Sequence, residues 1–270
     1  MTQSAMQHQR STRHLPALRR LCLGLLAACC SVGLAVAAGA AAPEGESRSS
    51  LPYVAKFANF AQAKASPEAR DIADWVVDSG DNNLLPFAIV DKKQARVFVF
   101  DARGNLTGAA AALLGLAIGD DSVAGIGDRP MASIRPEERT TPAGRFVVSM
   151  DHNAAGKNIL WIDYDAAISL HAVVAGTVTD RRTQRLSSPS ALDKRISFGC
   201  INVPAMFFEQ VVQPAFSRSN GIVYVLPETR SASKMFAAYK VNEYALAQNA
   251  GQPPPATINA LALGSPLSAR

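Results

Sequence analysis

Two side chains in the second half of the chain have the chemistry for nucleophilic acyl transfer: Cys200, in SFGCIN, and His171, in ISLHAV. A thiol becomes a nucleophile when a base takes its proton, and that base need only be near in space. The segment NVPAMFFEQVVQPAF reads as a helix, with Asn202 or Val203 near its cap and Pro204 in its first turn. That reading places Cys200 beside a helix N-terminus, where unpaired N–H groups and the dipole favour a thiolate. Gly199 lets the backbone approach a substrate closely, and successive N–H groups at Gly199 and Cys200 can form an oxyanion hole. Against this stands a buried, inert cysteine. His171 lies in an apolar strand, where a lone histidine is more often a hydrogen-bonded core residue than a base. The presence of Cys200 tips it toward the base. His152, in MDHNAAGKN, reads as a solvated turn residue.

The first 42 residues set the compartment. Arg10, Arg13, Arg19 and Arg20 precede an uncharged, mostly apolar run from Leu21 to Ala42 that ends in small residues. This is the pattern of a secretory signal peptide, with cleavage favoured between Ala37 and Ala42. The run is also long enough for an uncleaved membrane anchor. Leu26-Ala27-Ala28-Cys29 fits lipidation, although the residues after Cys29 stay apolar. Of 27 Lys+Arg, four lie in this leader, leaving 23 against 22 Asp+Glu, so the mature chain is nearly neutral. The pI of 9.2 therefore describes mainly the leader, and no basic stripe marks a nucleic-acid surface. Cys22, Cys29 and Cys30 leave with the leader, so Cys200 has no disulfide partner in an oxidising compartment. The remaining cysteine and two histidines cannot close a zinc site. GLAIGDDSVAGIG lacks the spacing of a phosphate loop, and no metal or organic cofactor is expected.

These residues must be positioned by a mainly β domain over 85–228. FAIVD and ARVFVFD form a hairpin, LTGAAAALLG follows as a strand or short helix, and 118–139 reads as a loop. TPAGRFVVSM, NILWIDY and AISLHAVVA supply strands, GIVYVLP closes the domain as a buried strand, and the polar, basic stretch 176–195 reads as a surface loop. Residues 43–84 are a linker and helical extension, with Ser66 capping a helix that opens on Pro67. Residues 229–270 give a helix over SKMFAAYKVNEYALA and a disordered tail.

The motifs together resemble the L,D-transpeptidase catalytic domain, the YkuD family. Its signature is a histidine, a variable spacer, then Ser or Thr, His, Gly, Cys, a hydrophobic residue and Asn or Arg. Ser197, Gly199, Cys200, Ile201 and Asn202 fill their slots and His171 takes the upstream position. TPAGRF is similar to the family's Thr-Pro-x-Gly-x-Phe turn, and FAIVDKKQARVFVFDARGNL to its first hairpin. Phe198 stands where most members carry a second histidine, and the spacer between His171 and Cys200 is longer than usual. The resemblance implies a β-sandwich or barrel with short helices. It implies acyl transfer on peptidoglycan tetrapeptide stems, with Cys200 as nucleophile, His171 as base and then acid, and the Gly199 and Cys200 N–H groups at the oxyanion. The acceptor would be a second stem, an envelope protein or water, and carbapenems would acylate the thiol. Ser197, Phe198 and Asn202 would line the substrate site. Arg181, Arg182 and Arg185, with Lys194 and Arg195, would lie over its mouth and pair with stem carboxylates, or else simply face water.

Overall fold

The computed structural model describes residues 51–174 and 176–252, so the leader, its three cysteines and the tail beyond 252 lie outside the described residues. The fold read from the sequence, mainly β with short helices, is the one observed. Its strands are β1 (Phe87–Asp91), β2 (Arg96–Phe100), β3 (Leu106–Ala111), β4 (Leu114–Gly115), β5 (Gly144–His152), β6 (Asn158–Asp163), β7 (Ile168–Ala172), β8 (Arg195–Ser197), β9 (Ile201–Val203) and β10 (Gly221–Val225). Eight of them form one sheet in the order β3-β2-β1-β10-β5-β6-β7-β9, and β4 pairs in parallel with β8. Just beyond β3, Leu113 exchanges both backbone hydrogen bonds with Asn202 in β9, at 2.8 and 2.9 Å. The two edges of the sheet therefore meet, and the sheet is nearly closed.

Strand alternation sorts the side chains. On one face Val90, Val99, Leu160, Leu170, Ile201 and Val223 join a core roofed by Phe208, Val212 and Phe216. On the other, Phe87, Ile89, Phe98, Phe100, Ile222 and Tyr224 lie under the helix α1 (Pro67–Ser79) through Ile72, Trp75 and Val76. Burying each of those helix side chains contributes roughly 1.5–3 kcal/mol. As expected, Ser66 caps α1 by accepting from the Ala69 N–H at 3.1 Å. This second face is covered over β1, β2, β3 and β10, with Leu106 and Ala109 of β3 packed against the cluster under α1. Its continuation across β5, β6, β7 and β9 carries Ser149, Trp161, Ser169, His171 and Asn202, placed side by side by the pairs Ser149↔Trp161, Trp161↔Ser169 and His171↔Asn202.

Four local expectations are corrected. Residues 201–203 are strand β9, and the helix starts only at α3 (Ala205–Phe207), continuing through a π-turn (Phe208–Val212) into α4 (Gln213–Phe216). The π-turn ends two residues before Pro214, whose ring and missing N–H disrupt an ordinary helical register. The stretch 176–195 is not simply a surface loop: it contains α2 (Arg182–Ser187), and Lys194 and Arg195 are buried. The C-terminal helix is two, α5 (Ala232–Met235) and α6 (Val241–Asn249). His152 is exposed as expected, but at the end of β5 rather than in a turn.

Candidate functional site

The site is built on a tight turn between β8 and β9. The Ser197 hydroxyl donates to Cys200 O at 2.6 Å and accepts from the Gly199 N–H at 3.1 Å. Gly199 O in turn accepts from the Thr141 hydroxyl at 2.8 Å, and Thr141 Oγ1 accepts from the Gly115 N–H at 2.8 Å. The threonine of TPAGRF thus clamps the turn that carries the thiol. Cys200 leads into a strand and not a helix, so no helix dipole acts on it. The Gly199 N–H, expected at an oxyanion hole, rests on Ser197.

What acts on Cys200, a free thiol, is β7. His171 and Ser169 lie two apart on that strand, so both point to the face where Cys200 stands. Ser169 Oγ is 3.7 Å from Cys200 Sγ. Burial disfavours the thiolate, but the hydrogen bond and charge of His171, with the Ser169 N–H and hydroxyl, outweigh it and hold the thiol below its ordinary value. Burial also opposes an imidazolium. The hydrogen bond and charge of Cys200, with the Ala172 contact, prevail and raise His171, while the positive charge of Arg182 pulls it down. Each partner therefore favours the charged form of the other. His171 Nδ1 is 2.8 Å from Ala172 O, which can only accept, so Nδ1 carries the proton and Nε2 is the basic nitrogen.

Asn202 completes the arrangement. Its Oδ1 accepts from Arg182 at 2.9 Å, while its Nδ2 is 3.2 Å from His171 Nε2 and 3.3 Å from Cys200 O. Phe198 packs against the core with the Arg139 guanidinium 3.9 Å above its ring. Of the basic residues, Arg182 reaches this group; Arg185 donates to Asp180 O and Asp193 O; Arg181 is exposed. Lys194 donates to Ser188 O and Ser190 O. Arg195 belongs to a buried cluster in which Lys92 donates to Asp120 at 2.9 Å and to Thr141 O at 2.9 Å, and Arg195 pairs with Glu228. That cluster supports both the Thr141 clamp and the entry to β8.

Four contributors escaped the sequence reading: Ser169, Trp161, Thr141 as a clamp, and Arg139 over Phe198. The alternation of ISLHA, with Ile168 and Leu170 inward, signals Ser169. Trp161 is paired with Ser169 across β6–β7 and is stacked by the exposed Tyr164 at 4.6 Å, and its only signal was the apolar run NILWIDY. Among the described residues no group of His, Cys, Asp and Glu could hold a metal ion, and no helix is long and apolar enough to cross a membrane.

No protein-family model matches the chain, and no curated protein matches it. Solved structures do. The catalytic domain of an L,D-transpeptidase from E. faecium matches at 17% identity and a TM-score of 0.30, over 52% of this chain and 95% of that one. The helical cell shape determining protein Pgp2 of Campylobacter jejuni matches at 16% identity and a TM-score of 0.37, over 63% of this chain and 58% of its own. A fused Zn-dependent amidase/peptidase/peptidoglycan-binding domain-containing protein of Clostridium acetobutylicum matches at 16% identity and a TM-score of 0.26, over 60% and 65%.

Proposed function

We propose that the chain is an exported cysteine acyltransferase of the cell envelope, acting on peptidoglycan tetrapeptide stems. The observation that carries this reading is the half-buried Cys200–His171 pair on one face of the sheet, with the imidazole oriented by Ala172 O. Cys200 thiolate attacks the carbonyl carbon of the third stem residue, and the oxyanion is met by the backbone N–H groups of Cys200 and Gly199, the latter released from Ser197. The C–N bond to the terminal D-alanine breaks as His171 Nε2–H protonates the leaving amine, which leaves a thioester. An amine from a neighbouring stem or an envelope protein, or water, then attacks the thioester carbonyl and gives its proton to His171, and the C–S bond breaks to release the Cys200 thiolate. No metal or organic cofactor is required. The 1–42 leader delivers the protein to the periplasm or envelope.

The test is incubation of the protein with disaccharide-tetrapeptide and mass spectrometry of the products. Loss of D-alanine, or a trapped thioester, is expected, with neither in Cys200→Ala; the mass of the product identifies the acceptor. Phe198 favours a second reading, a weakened relative that binds stems without turning them over, because it fills the slot of the family's second histidine with a side chain that transfers no proton. Stem binding with a freely reactive thiol and no turnover is the outcome that would select it.

A further inference from the structure

We propose that Arg182 is a positioning residue that, through Asn202, opposes protonation of His171 Nε2 and so limits how far Cys200 stands as thiolate. The proposal rests on the geometry of the Cys200–His171 pair and goes beyond the choice of substrate. A guanidinium has donors and no acceptor, so the Asn202 amide must present Oδ1 to Arg182, which it does at 2.9 Å. Nδ2 then faces the other way. One of its hydrogens goes to Cys200 O at 3.3 Å, an acceptor that fixes the same orientation independently, and the other points at His171 Nε2 at 3.2 Å.

A donor aimed at Nε2 suits the neutral imidazole, whose proton is already on Nδ1 against Ala172 O. It does not suit the imidazolium, in which Nε2–H would meet Nδ2–H₂ with no lone pair between them. The Asn202 backbone is held on both sides, by β7 and by Leu113, so the side chain cannot move aside as a unit with its strand. A rotation of the amide would relieve the conflict by turning Oδ1 to Nε2–H, but it would point an N–H₂ group at Arg182. The guanidinium therefore locks the amide against the very rotation that the imidazolium needs. Asp180 lies 3.5 Å from Arg182 Nε and helps hold it. The titratable groups acting on the imidazole are Cys200 from the turn before β9 and Arg182 from α2, and they act in opposite senses.

Arg182 comes from the stretch that lengthens the spacer between base and nucleophile. That stretch brings a positive charge and, through Asn202, a donor to the Nε2 side of the base.

The test compares the full chain with Arg182→Met, Arg182→Lys and Asn202→Asp, following the rate of Cys200 alkylation by iodoacetamide against pH and the His171 ring nitrogens by NMR. In Arg182→Met the acid limb of the alkylation profile should move down, and the His171 titration up, by about one pH unit, a tenfold change in rate on that limb. Arg182→Lys, which keeps a cation and a donor, should restore the wild-type profile. Asn202→Asp puts an acceptor at Nε2 and should move the histidine in the same direction as Arg182→Met, which keeps the idea testable if the latter fails to fold. Profiles of folded Arg182→Met and Asn202→Asp that overlay the wild type would overturn it. Neither readout needs muropeptide turnover, so it survives or fails independently of the proposed substrate.

Discussion

At Gly199 the backbone takes φ +132°, and a Cβ there would stand 2.5 Å from Ile168 Cδ1 and 2.7 Å from Thr140 O. Both the dihedral and the space exclude a side chain, so Gly199→Ala must shift the turn that aims the thiol. With circular dichroism unchanged, Cys200 alkylation should fall about a hundredfold, the scale of a misplacement near 1 Å. Native-like rates would show that the turn is not critical. At this scale residue types and motifs are legible in the sequence, and the forces between side chains are not. Cys200, His171 and Gly199 could be singled out by type and motif. The force on the thiol could not, because it comes from a cross-strand neighbour and not from the residues that follow it.

The elements show why. Val203 precedes Pro204, and a residue before proline is driven out of the helical region. Ile201–Val203 is therefore extended, and it finds partners on both sides in β7 and Leu113. That pairing depends on Leu113, far away in sequence, so a local reading of NVPAMFF saw only the helix. Hairpin β1–β2 was legible because its partners are adjacent, and α1 because its cap and apolar face are local. The Thr141 clamp was not, since its hydroxyl serves a loop joined to it only through the tertiary fold. Thr141→Val keeps the shape and removes that hydroxyl, leaving the Gly115 N–H buried without an acceptor. A loss of about 1–3 kcal/mol in denaturant unfolding is expected, with slower Cys200 alkylation. Loss of stability with unchanged thiol reactivity would confine Thr141 to a scaffold role.

Across the molecule, the buried cluster of Lys92, Asp120, Arg195 and Glu228 joins the end of the first hairpin, the loop before β5, the entry to β8 and the exit from β10. Arg195 looked like part of a basic surface loop because composition reports charge and not depth. Burial raises the Asp120 carboxyl, but hydrogen bonds from Thr229, Lys92 and the backbone N–H groups of Glu228 and Thr229 outweigh it and hold it well below the usual carboxylate range. An acid held low in the folded state stabilises the fold fully above its ordinary value of 3.8 and loses that contribution as the pH falls through the folded value. Melting temperature should therefore decline steeply below about pH 4, and Asp120→Asn should start lower and flatten that decline. An equally steep acid slope in the variant would assign the sensitivity to other carboxylates.

The same cluster constrains how this sequence can drift. Removing one member strands a charge where water does not reach, at roughly 3–5 kcal/mol, whereas exchanging the set for apolar groups can be neutral. Single steps away from it lead downhill, and only joint steps keep level ground. Among the descendants of this chain, positions 92, 120, 195 and 228 should then change hands as a block, while the exposed Arg181 beside α2 varies freely.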